Sequence, residues 1–190
     1  MVIITTNMIG LPIALLAANA AEWFLHKHVL HGLGQNKKSF WRFHWHEHHA
    51  HSRRNGHYDS DYERSPLANN AQGKEVLGLV GLAAMVTPLL PVAPFFVGGL
   101  YYASYRYYRV HRRAHLDPDW AREHLRWHYD HHMGPDQHQN WCVTKPWFDH
   151  LMGTRELYVG TPRERRDRER SAARAAKRAR HGERETSQAA

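Results

Sequence analysis

Cysteine is almost absent from this chain of 190 residues: Cys142 stands alone. A single thiol excludes an intramolecular disulfide framework and every zinc or iron–sulfur site that needs paired cysteines. Any transition metal must therefore be held by histidine. Charge is missing from residues 76–105, which contain no Asp, Glu, Lys, Arg or His, and residues 2–25 hold no Lys or Arg and one acid, Glu22. Aromatic and large aliphatic residues are missing from residues 163–190, where ten Lys and Arg stand against five Asp and Glu and supply +5 of the net +8. Such a stretch buries too little apolar area to offset the entropy of ordering it, unless as a solvated helix. Residues 163–190 are therefore read as a basic tail, disordered or a solvated helix, rather than as a nucleic-acid arm. Residues 1–162 form the functional domain, and the length allows one such core.

The two uncharged stretches predict a membrane protein. At about 1.5 Å per residue, residues 2–25 are long enough to cross a hydrocarbon layer of about 30 Å. They are no signal peptide, because no basic segment precedes them and no small-residue cleavage site spares His26. Pro88, Pro91 and Pro94 interrupt the second stretch, each removing a helix donor. This predicts a hairpin with arms over 74–88 and 95–110, short enough to be tilted or re-entrant. A hairpin returns the chain to the side it left, so the histidines before and after it face one compartment. Arg42, Arg53, Arg54, Arg106, Arg109, Arg112 and Arg113 mark that side as cytoplasmic. The expected fold is all-α, an integral membrane helical bundle with a histidine-rich helical cap on its cytosolic side. The expected localisation is an integral membrane protein with its metal site facing the cytoplasm.

Histidine is what the chain has in excess, 18 residues, of which 14 fall in four clusters beside the apolar stretches. HKHVLH carries His26 and His31; FHWHEHHAH carries His44, His46, His48, His49 and His51; HRRAH carries His111 and His115; HLRWHYDHH carries His124, His128, His131 and His132. On an α-helix, residues three and four apart share a face. His111 with His115, His128 with His131 and His132, and His44 with His48 therefore pair up, whereas His46 points away from His44. Bundled protonated imidazoles repel and neutral ones make a poor core, while a metal uses each ring as a neutral donor. Ten candidates, His26, His31, His44, His48, His49, His111, His115, His128, His131 and His132, exceed what one four- to six-coordinate ion can use, so two ions are expected. Other motifs fail: His46-Glu47 would begin H-E-x-x-H but meets Ala50, and no Glu has His three residues later. His131 and Asp136 match the H-x4-D pattern of glycerolipid acyltransferases, with Gly134-Pro135 breaking the helix between them.

The order HKHVLH, FHWHEHH, apolar hairpin, HRRAH, HYDHH, closing with NWCVTKPWFDHLMGT, resembles the fatty acid hydroxylase and sterol desaturase superfamily across residues 22–154. One departure lies in the second box, usually H-x2-HH, where Trp45 takes the place of the first histidine and His44 is the substitute. The resemblance implies a non-haem di-iron centre held by these histidines, with zinc as a substitute ion in purified protein and O2 as co-substrate. It implies hydroxylation or desaturation of an alkyl C–H bond of a fatty acid, sterol or related lipid; carotenoid ring hydroxylases share boxes of this type. The implied partners are the lipid substrate, the membrane and an external electron donor of ferredoxin or cytochrome type, since the chain has neither a haem domain nor an iron–sulfur cysteine set. The basic surface of residues 106–113 and the tail are docking candidates for an acidic carrier. Asp117, Asp130, Asp136 and Asp149 are candidate acceptors for ligand ring N–H groups. Two alternatives remain open: a non-catalytic membrane metal-binding protein, and an acyl-transferring enzyme using His131 and Asp136.

Overall fold

The computed structural model describes the backbone of residues 8–188 and the side chains of residues 8–177. Every regular element among the described residues is helical. Helix α1, Gly10–Leu25, is rich in Ala and Leu, which lose little side-chain freedom on helix formation. It runs on without a break into a π-helical stretch, His26–Leu33. A second π-helical stretch, Phe43–His49, leads into α2, Ala50–Arg54. A 3₁₀ turn at Ser60–Glu63 follows Asp59, whose side chain accepts from the Asp61 N–H at 3.0 Å. Helix α3, Ala71–Val86, is capped by Asn70, which accepts from the Gly73 N–H at 2.9 Å.

The proline cluster then stops the helix as expected. A 3₁₀ turn at Thr87–Leu89 precedes α4, Pro94–Leu116, which carries Pro94 at its start, where no donor is lost. Asp117 caps α5, Pro118–His124, by accepting from the Trp120 N–H at 3.0 Å. The remaining helices are α6, Arg126–Met133, which ends at Gly134-Pro135, α7, Trp147–Leu151, and α8, Pro162–Gln188.

The chain divides into two compact units, Met1–Glu156 and Leu157–Ala190. In the second, Thr161 Oγ1 accepts from the Glu164 N–H at 3.3 Å while Glu164 accepts from the Gly160 N–H at 2.8 Å, a reciprocal cap that starts α8. In the first, α1 and α4 approach through small residues: a Cβ on Gly99 would lie 2.6 Å from the Ala14 Cβ. The segment after α6 is then fastened to α1. Asn19 donates to the Lys145 carbonyl at 2.7 Å, Glu22 accepts from the Val143 and Thr144 N–H groups and the Thr144 hydroxyl, and the Trp23 indole donates to Thr154 Oγ1 at 2.9 Å. Trp23, Trp141 and Cys142 pack together under Phe148.

The membrane expectation does not survive. Among the described residues no helix is long and apolar enough to cross a membrane, which corrects both the integral membrane bundle and the integral membrane localisation. The all-helical composition stands without it. The physical reason is in the lengths. Helix α3 has 16 residues, and the apolar part of α1 is also 16 before His26, Lys27 and His28 enter its continuation; each is about 24 Å at 1.5 Å per residue against a layer of about 30 Å. Helix α4 has 23 residues, but its second half carries Arg106, Arg109, Arg112 and Arg113. Positions 2–7 of the expected 2–25 span lie outside the described residues.

Candidate metal centre

The first unit is built around histidine. Eleven buried histidines fall into three groups whose ring nitrogens lie within 4.8 Å of one another: His26, His31, His44, His49 and His131; His48, His111, His115 and His132; and His57, His115 and His128. The third overlaps the second through His115, and His128 Nε2 lies 3.1 Å from His115 Nε2. All ten sequence candidates are thus brought together. His46 is not: its Nε2 sits 3.0 Å from the Gln35 carbonyl, outside every group, while His44 lies inside the first. His124 also stays out, at the end of α5 against Trp120.

Helix geometry explains the partition. Adjacent residues on an α-helix point about 100° apart, so each HH pair divides: His131 joins the first group and His132 the second, and His49 joins the first while His48 joins the second. The two groups adjoin, with the His49 and His132 rings stacked 4.1 Å apart at 18°. The π-helical turns explain the rest. His26 and His31, like His44 and His49, are five residues apart, which an α-helix would separate by about 140°. The i→i+5 bonding of a π-helix brings such residues back to one side, and all four meet in the first group.

For six of the eleven rings the far side fixes the tautomer. His26 Nδ1 is 2.6 Å from the Trp141 carbonyl, His131 Nδ1 2.6 Å from that of Gln139, His115 Nδ1 2.9 Å from that of His57, and His57 Nδ1 3.1 Å from that of Ala114. A carbonyl only accepts, so Nδ1 carries the proton and Nε2 is a bare lone pair. Two rings use carboxylates instead: His48 Nδ1 lies 2.8 Å from Asp59, and His111 Nδ1 lies 2.9 Å from Glu75, which also accepts from the Tyr62 hydroxyl at 2.5 Å. Neither acid is among the sequence candidates. Asp117 instead caps α5, Asp136 caps the His138 N–H, Asp130 pairs with Arg155 at 2.7 Å, and Asp149 accepts from the Trp141 and Cys142 N–H groups. Asp149 acts at one remove, since it holds the residue whose carbonyl orients His26. Asp136 makes no pair with His131, so the acyltransferase motif has no dyad.

Protons cannot satisfy this arrangement. In the first group His26 Nε2 is 2.9 Å from His44 Nε2, and His49 Nε2 has three neighbours, His31, His44 and His131, at 3.1, 3.2 and 3.1 Å. One ring proton cannot serve three nitrogens. In the second and third groups His48 Nε2, His57 Nε2 and both nitrogens of His132 are buried without any hydrogen-bond partner among the described residues. A cation answers both problems. At a metal–nitrogen distance of about 2.0–2.1 Å, ligands at right angles sit about 2.9 Å apart and tetrahedral ones about 3.3 Å, the range these nitrogens occupy. These buried histidine groups can hold a metal ion.

Burial sets the electrostatics. It pushes His26 and His57 down to about 3, and holds His44, His49, His115, His128, His131 and His132 well below the usual imidazole range, with neighbouring rings adding repulsion. All are therefore neutral donors at pH 7. Burial would raise the carboxyls of Asp59 and Glu75, but the His48 and His111 rings hold both below the ordinary carboxylate range. His57 carries no helical spacing signal, lying in the Asn55–Asp59 turn with φ of 83°; only tertiary packing reveals it. The chain matches no protein-family model, no curated protein and no solved structure.

Proposed function

We propose that this protein is an O2-dependent oxidoreductase that holds two iron ions and removes hydrogen from an alkyl C–H bond of a lipid, hydroxylating or desaturating it. The observation that carries this reading is the pair of adjoining all-imidazole groups, formed by the same histidine boxes that resemble the fatty acid hydroxylase and sterol desaturase superfamily. Five imidazoles in the first group are one more than tetrahedral zinc takes, and the donor set suits a redox metal of higher coordination number. His26, His31, His44, His49 and His131 would hold one ion, and His48, His111, His115, His128 and His132 the other. Two such ions supply reductive activation of O2. The chain's own part is orientation: the Trp141 and Gln139 carbonyls, Asp59 and Glu75 lock the ring tautomers, and the buried shell excludes water. Electrons come from an external ferredoxin- or cytochrome-type donor, because one cysteine cannot hold an iron–sulfur cluster of the chain's own.

Two measurements test this. Metal analysis of the full chain is expected to return two ions, and lipid mass spectrometry of cells with and without the gene is expected to show one lipid class gaining an oxygen or losing two hydrogens. His128→Ala is expected to lower metal loading and turnover together. Retained iron with full turnover in that variant sinks the histidine-held centre, and a zinc-filled protein without O2 consumption sinks the reading in favour of non-catalytic metal binding.

A further inference from the structure

A groove of about 390 Å³ opens beside the candidate centre, lined by Trp45, His46, His49, Arg53, Arg54 and Gln137 among others. None of its lining residues is acidic. His49 belongs to the first histidine group, so the groove leads to a ring that faces the metal position. Its outer wall is cationic. Arg53 is held in place through Nη1, which donates to the His132 carbonyl at 3.0 Å and the Gly134 carbonyl at 2.9 Å, with no hydrogen bond from its Nε or Nη2 among the described residues. Arg54 is exposed and makes no ion pair or side-chain hydrogen bond among the described residues. Gln137 Nε2 lies 3.1 Å from His49 Nδ1 and donates to the His132 carbonyl at 2.9 Å. Trp45 closes the inner side, stacked on His138 at 5.2 Å and edge-on to His31 at 4.9 Å.

A fixed guanidinium fork beside a second free arginine matches the planar, two-oxygen geometry of a carboxylate or phosphate. An uncharged sterol or hydrocarbon gains nothing from two cations at the entrance. We infer that this groove binds the anionic head group of the substrate, a carboxylate or phosphate ester on an alkyl chain, at Arg53 and Arg54. The alkyl chain rests on the C–H oxidation reading above; the anion site rests on the groove alone.

Calorimetric titration of the full chain with its metal ions, without reductant or O2, tests this with octanoate, octyl phosphate and 1-octanol. Both anions are expected to bind at least tenfold more tightly than the alcohol, and the tighter of the two names the head group. Arg54→Gln, at an exposed side chain, is expected to weaken both anions several-fold while the metal content and the weak octanol binding stay unchanged. Arg53→Lys, which keeps the charge and removes the fork, is expected to weaken them as well. Equal affinity for octanol and octanoate, anion binding indifferent to Arg54→Gln, or affinity for an acidic protein alone with none for either small anion, each overturns the inference. Loss of O2 chemistry with anion binding intact would sink the proposed function and leave this site standing; the reverse result would sink only the site.

Discussion

Glu75 offers the sharpest perturbation of the centre without touching a ligand. Both of its oxygens lie 2.9 Å from His111 Nδ1, and one also accepts from Tyr62 at 2.5 Å, so a single buried carboxylate fixes the ring of one metal-facing histidine. Gln in its place offers one acceptor oxygen for two donors and turns an amide N–H₂ toward the other. His111 then loses either its orientation or its tautomer, and its charge-assisted hydrogen bond in either case. Removing such an orienting partner lowers metal affinity about 10–100-fold, equivalent to about 1.4–2.8 kcal/mol. The loss falls on the second group, to which His111 belongs, and spares the first, whose tautomers are set by the Trp141 and Gln139 carbonyls. Competition with a chromophoric chelator on the full chain reads this directly: Glu75→Gln is expected to release one of two ions at 10–100-fold lower chelator concentration, with unchanged circular dichroism. Asp117→Asn is the control, because Asp117 only caps α5. A Glu75→Gln chain that keeps both ions as tightly as the parent refutes the reasoning.

Three further outcomes are expected. Acid should destabilise the metal-free chain: His26, His44, His49, His57, His115, His128, His131 and His132 have folded pKa values below 6.5, so between pH 6.5 and about 3 the unfolded state binds more protons at these rings. Stability is whole above pH 6.5 and falls as pH drops, by up to about 1.4 kcal/mol per pH unit for each such ring; Asp59 and Glu75 act in the same direction, and Glu22, pushed up to about 7 by burial, opposes them alone. Urea midpoints at pH 7.5 and 5.5 check this, and a midpoint that rises in acid contradicts it. Asp149→Ala strips acceptors from the buried Trp141 and Cys142 N–H groups, at about 1–3 kcal/mol for each group left unpaired; a lower urea midpoint and weaker metal retention should appear together through His26. Gly99→Ala places a methyl 2.6 Å from Ala14 and is expected to cost about 1–3 kcal/mol by overpacking α1 against α4, read as a lower Tm.

Much of the centre was legible before any fold. A lone cysteine with clustered histidines leaves imidazole as the only plentiful donor for a transition metal, and ten candidates exceed one ion's needs. The expected sharing of a face by His44 with His48, and by His128 with His131 and His132, fails, since His44 and His131 fall in one group and His48 and His132 in another. The proline cluster placed the break between α3 and α4. Hydropathy misled, because an uncharged run states composition and not the length of an unbroken helix: residues 76–105 are cut at Thr87 and Pro94, and α1 passes into a π-turn at His26. The choice of orienting acids also lay beyond sequence. Asp59 and Glu75 reach His48 and His111 across 11 and 36 residues of chain, while the nearer Asp130 turns to Arg155. His57 enters through a left-handed turn that no periodicity announces. Composition and local order thus determined which atoms are available to bind a metal. Which nitrogens gather into which group was decided by long-range packing and by two π-turns that bring five-residue spacings onto one face.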